Sequence, residues 1–204
     1  MRPAASSGPV ETFKGPLLWF CLKMSNMTSD ASLRYPLGGF KKADSFTAEE
    51  RTAAIEGIRQ LPKNLRSAVA GWSEEQLETP YRPGGWTVRQ LVHHVADSHV
   101  NAYNRVRHGL TEDWPLIFAY QENRWAELED ARAGAVSTSL DLLDALHIRW
   151  VQLFSSLDEP DWKRGYTHPE NGRQSVEQAV ILYDWHGRHH TAHVTGLAAR
   201  MGWS

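Results

Sequence analysis

Apolar residues recur at three- and four-residue intervals over four long stretches of the chain, with polar residues between them, the pattern of amphipathic helices. The first stretch carries Ala53, Ile55, Ile58, Leu61, Leu65, Val69 and Trp72. Thr47-Ala-Glu-Glu50 opens it as a capping box, and Pro62 is expected to kink or briefly break it. The second begins near Trp86-Thr87 and runs to about Leu110 along Val88, Val92, Val95, Ala102 and Val106. Leu140, Leu143, Leu146, Trp150, Val151 and Phe154 predict a third helix from about Val136 to Leu157. The fourth opens at Ser175, with Gln178 completing another capping box, and continues to about Met201, where Gly202 is a natural stop. Ser73-Glu-Glu-Gln76 starts a short helix that must end before Pro80, and Tyr81–Gly85 reads as a loop. Between the second and third helices, Trp125–Asp130 is expected to form a short helix. Pro160, Gly165, Pro169 and Gly172 make residues 158–174 a loop with room for a small hairpin. Strand-like alternation is almost absent. Four such helices imply an all-α, four-helix bundle, and the long links between them favour a crossover connection over tight up-down loops.

The chain of 204 residues has the length of one domain with a real core. Residues 1–30 are expected to be a flexible extension ahead of a single domain over 31–204, and Met24 or Met27 could serve as the natural start. Pro16–Leu22 is far short of a membrane span and lacks the marks of a secretory signal. The 22 Lys and Arg against 24 Asp and Glu leave a formal net charge of −2, with no basic patch to attract nucleic acid. The lone Cys21 cannot close an intrachain disulfide, which fits a cytoplasmic protein. The unusual counts are 10 His and 9 Trp, and the histidines cluster.

His93, His94 and His99 fall on the second helix; His186, His189, His190 and His193 fall on the fourth. Imidazole is the commonest protein metal ligand, and helical residues four apart share a face. Taking ~100° per residue from Tyr183, His190 lies at about −20° and His186 at about −60°, with the inward stripe. His193 at about −80° and His189 at about −120° fall at or beyond its edge. On the second helix the same measure from Val88 selects His99, at about 20°, over His94 at about −120° and His93 at about 140°. Position 187 is Gly, so the H-E-x-x-H metalloprotease signature is missing.

Three segments are familiar. Gly84–His99 (GGWTVRQLVHHVADSH), Leu143–Trp150 (LDALHIRW) and Leu182–His193 (LYDWHGRHHTAH) resemble the YfiT family of the DinB-like superfamily, whose members are named for metal-dependent hydrolysis. Arg34–Phe40 (RYPLGGF) resembles that family's usual start, and the likeness covers roughly residues 34–200. It implies a four-helix bundle, often a homodimer, holding one divalent ion, Zn or Ni, on three histidines. The family's first histidine stands eight residues after the tryptophan opening the second helix, which here gives His94. The other two are the first and fifth of the histidine-rich run, His186 and His190. The second-helix periodicity disagrees, so His93 and His99 remain substitutes for His94.

Three neutral imidazoles leave a divalent ion an open position, the ligand count of a catalytic site. Water there is acidified to near pH ~7, favouring hydrolysis of a small-molecule substrate. A thiol there is ionised, favouring S-transfer from a low-molecular-weight thiol, as in the bacillithiol-type transferases that some superfamily relatives resemble. A metal-binding module without catalysis is the third expectation. Asp97 and Asp184 are candidate partners for the imidazoles, and Tyr183 for orienting substrate. Each also has a bland reading, as a surface carboxylate or a core tyrosine. Arg89 and Arg188 are expected to be solvated, and Trp150 and Trp185 are candidates for a pocket mouth.

Overall fold

The computed structural model describes residues 31–203. The expectations for residues 1–30 lie outside the described residues. Four long helices dominate: α1 (Ala48–Ala68), α2 (Val88–Thr111), α3 (Val136–Ser155) and α4 (Val176–Met201). Short helices at Glu74–Leu77, Glu122–Trp125, Glu129–Ala133 and Glu159–Lys163 occupy the links. An antiparallel hairpin, β1 (Gly165–His168) with β2 (Gly172–Ser175), precedes α4.

Local chemistry sets the helix starts. Thr47, Ser73, Thr87 and Ser175 each accept a bond from the backbone N–H three residues on. The Glu or Gln at that position accepts the cap residue's own N–H in return. Gly202 closes α4 in the left-handed region, with φ 67°, donating its N–H to the Ala198 carbonyl.

α1 packs on α3 and α4, and α2 packs on the same two helices. Consecutive helices α1 and α2 are therefore diagonal in the bundle, as are α3 and α4. The long links over residues 69–87 and 156–175 are both crossovers. Gly109 lets α2 pass against β1: a Cβ there would stand 2.8 Å from the Gly165 carbonyl carbon.

Two corrections to the sequence reading concern α1 and α2. Pro62 does not break α1, which stays helical from residue 48 to residue 68. Arg89, expected to be solvated, is buried: it pairs with Glu74 and, at 2.6 Å, with Glu78, and donates to the Gly134 carbonyl at 2.8 Å. Carboxylates on the preceding short helix replace its water, which helical periodicity does not register. Arg188 is exposed, as expected, and pairs with Asp184 at 2.7 Å.

The core divides in two. Ile58, Ala102, Leu146, Trp150, Phe154, Val180 and Tyr183 belong to one apolar cluster. Leu61, Leu65, Leu91, Val95, Ala96, Leu143, Val194 and Leu197 belong to the other. On α2 and α4 the boundary between them falls where histidines lie, and on α3 His147 stands just past it, after Leu146. A belt of imidazoles thus crosses the bundle between two greasy ends.

Candidate metal centre

The belt opens to solvent at one side. There His94 from α2 meets His186 and His190 from α4, and a ligand atom from each lies within 4.8 Å of the others. Ring centres are 5.4 Å apart for His94 and His186, 5.0 Å for His94 and His190, and 4.5 Å for His186 and His190. The last spacing follows from one helical turn. Capping at Thr87 places Trp86 just ahead of α2, with its ring 4.5 Å from His94. These groups line a cleft of about 380 Å³ with Arg34, Tyr35, Arg82, Glu122, Asn123 and Trp185.

Electrostatics favour the ligand form of each ring. Burial pushes the His94 imidazole down to about 4 and holds His186 and His190 well below their ordinary range. All three are thus neutral at pH 7, with a lone pair to offer. His190 Nδ1 is buried without a hydrogen-bond partner, and no hydrogen bond reaches either ring nitrogen of His94 among the described residues. An orphaned buried nitrogen costs free energy, which an ion would recover. The all-imidazole donor set fits a divalent transition-metal cation.

The alternatives on α2 have other work. His93 Nε2 donates to the Gly134 carbonyl at 3.1 Å, and its Nδ1 lies 2.7 Å from the Ser139 hydroxyl. His99, the inward residue by periodicity, is fully buried between His147 and His186, at 3.0 and 3.1 Å. His94 reaches the cleft from the flank of α2.

His189 and His193 depart from expectation. Both are buried rather than at the edge. Residues ahead of α1 fold over them: His193 Nε2 donates to the Arg34 carbonyl at 3.2 Å, and Tyr35 lies 6.1 Å from His189. Tyr81 covers His193 at 4.3 Å, and Trp185 stacks on His189 at 4.5 Å. Cover from distant chain segments is invisible in a helical wheel.

Among the weaker candidates, Asp97 is partly buried, and burial with the Asp130 charge raises its carboxyl to about 6. No hydrogen bond joins it to a histidine among the described residues. Asp184 is committed to Arg188. Tyr183 is buried beside His99 and His186, its hydroxyl pushed up by burial. Trp185 lines the cleft, whereas Trp150 is wholly inside the core. Sequence reasoning missed two residues. Among the described residues, Glu122 is the one carboxylate lining the cleft. His147 sits fully inside the belt, and the signal that could have found it is Pro62, four residues after the carbonyl that His147 binds.

Comparison with known proteins agrees with this architecture. The model of the DinB superfamily matches residues 58–194. A Bacillus mycoides protein, provisionally designated a metal-dependent hydrolase, is 48% identical over 171 residues, spanning 84% of this chain and 98% of its own. YfiT of Bacillus subtilis, with the same designation, is 46% identical over 179 residues, spanning 87% of this chain and 100% of its own. The solved structure of that YfiT, described as a probable metal-dependent hydrolase with an unusual four-helix bundle topology, superposes with a TM-score of 0.83. It covers 85% of this chain and 99% of that one, at 45% identity.

Proposed function

The chain belongs to the DinB superfamily, and from that membership we propose that it is a metal-dependent hydrolase of small molecules whose divalent ion, zinc or nickel, is held by His94, His186 and His190. One observation supports this above the others: three neutral imidazoles from two helices converge at the floor of an open cleft, with one buried, unpartnered nitrogen, His190 Nδ1, among them. A divalent ion held there supplies Lewis acidity toward a carbonyl or a water in its open position.

The chain's own groups do the rest. Burial keeps the three rings unprotonated, so their lone pairs are available at neutral pH. Glu122 is exposed at the cleft rim, where partial desolvation and the Glu170 charge raise its carboxyl, so it can take a proton from an attacking water and return it to a leaving group. Trp86, Tyr35 and Trp185 wall the cleft and shield the polar floor. Arg34 and Arg82 line the same cleft and suit a substrate bearing a carbonyl or carboxylate. Those guanidiniums also favour a second reading, transfer of a low-molecular-weight thiol that carries carboxylates.

The test strips the protein with a chelator and reloads it with zinc or nickel. Metal per chain is read by elemental analysis and turnover on a panel of esters and amides, then on thiol plus electrophile. Near-stoichiometric metal with metal-linked hydrolysis is expected. Metal without turnover would leave only a binding module, turnover of thiol alone would select the transferase, and absence of bound metal would refute the whole reading.

A further inference from the structure

Pro62 lies inside α1 and has no N–H, so the Ile58 carbonyl four residues earlier lacks its helical partner. That oxygen instead accepts a hydrogen bond from His147 Nδ1 at 2.6 Å. His147 Nε2 lies 3.0 Å from His99 Nδ1, and His99 Nε2 lies 3.1 Å from His186 Nδ1. One unbroken line of hydrogen bonds therefore runs from the proline-freed carbonyl through α3 and α2 to α4. His99 and His147 are almost wholly buried, at 0% and 2% exposure.

The line has a direction. A carbonyl oxygen only accepts, so the proton of His147 sits on Nδ1. A neutral imidazole has one N–H, so His147 Nε2 must accept. His99 then donates from Nδ1 and accepts at Nε2, and His186 donates from Nδ1. The lone pair left over is on His186 Nε2.

We propose that His147 and His99 are positioning residues that fix the tautomer of His186, presenting its Nε2 as a ligand atom before any ion arrives, and that Pro62 anchors the device by freeing the Ile58 carbonyl. The use of that lone pair rests on the ligand reading given above; the proton order does not. A partner on the far nitrogen of a metal-binding imidazole sets its orientation and basicity, and here that partner is a two-ring relay in place of a carboxylate.

Long-range ¹⁵N NMR of the histidine rings in the ion-free, full-length protein reads the proton order directly. His99, His147 and His186 should all carry the proton on Nδ1, the less populated form of free histidine in water. An Nε2 proton on any of the three overturns the relay. His147→Leu removes both the donor and the acceptor, so His186 should redistribute toward its Nε2–H form and zinc affinity should fall about 10- to 100-fold. An unchanged His186 tautomer in a folded His147→Leu protein overturns the positioning role. If that variant does not fold, the wild-type spectrum still decides the proton order. Nδ1 protons on all three rings in a protein that takes up no zinc would uphold the relay while refuting the ligand assignment.

Discussion

Acid should unfold the ion-free protein through its imidazole belt. Burial pushes His94, His147, His189 and His193 down to about 4, against an ordinary value of 6.5. His99, His186 and His190 are held well below that ordinary value. In the unfolded chain the same rings regain the ordinary value. Between the two, the unfolded state binds protons that the folded state refuses, so stability is full above pH ~6.5 and falls as pH drops toward ~4. At pH ~5 the deeply buried His94 and His147 rings each cost roughly 2 kcal/mol, about 4 kcal/mol together, and the better-screened His189 and His193 add less. Asp97 works in the opposite sense, because its carboxyl is raised to about 6 in the fold. It offsets on the order of 1 kcal/mol at that pH. The remainder is a large fraction of the stability of a typical domain, ~5–15 kcal/mol. Urea unfolding followed by circular dichroism near pH ~7.5 and near pH ~5 measures this. A collapse of the midpoint at the lower pH is expected, and zinc should delay it by binding the folded state alone. Equal unfolding free energies at the two pH values would show that the belt is not held neutral, and the reasoning would fail.

Three further outcomes are expected. His190→Ala should reduce bound zinc toward zero while His189→Ala leaves it unchanged by elemental analysis; equal loss in both would mean the wrong face of α4 was chosen. Glu122→Gln should lower kcat by about 10²-fold or more without changing metal content, since proton transfer in the transition state is worth that much; an unchanged kcat removes Glu122 from the reaction. Gly109→Ala drives a Cβ to 2.8 Å from the Gly165 backbone, and overpacking of that kind costs about 1–3 kcal/mol. Its melting temperature should fall clearly, and an unchanged one would show that α2 and β1 can part freely.

The helices were legible because their signals are local. A Ser or Thr followed three residues later by Glu or Gln closes on itself, and Thr47, Ser73 and Ser175 read correctly for that reason. The hidden features are partnerships between distant residues. Loss of the Pro62 N–H predicts a damaged helix only if the freed carbonyl goes unmet, and His147, 89 positions away in sequence, meets it. Arg89 reads as solvated until Glu74 and Glu78 are brought against it.

The conflict on α2 has the same origin. Periodicity selects the histidine that points most squarely at the bundle axis, and His99 is that residue. A ring on the axis is surrounded by other helices, and both His99 nitrogens are engaged by His147 and His186. A residue that must hold an ion within reach of substrate needs one side toward the core and one toward solvent. That condition places it on the flank of its helix, beside the cleft, where His94 stands against Trp86. In such a bundle the axial histidine orders the ring that binds, and the histidine off the apolar stripe is the better candidate for a ligand.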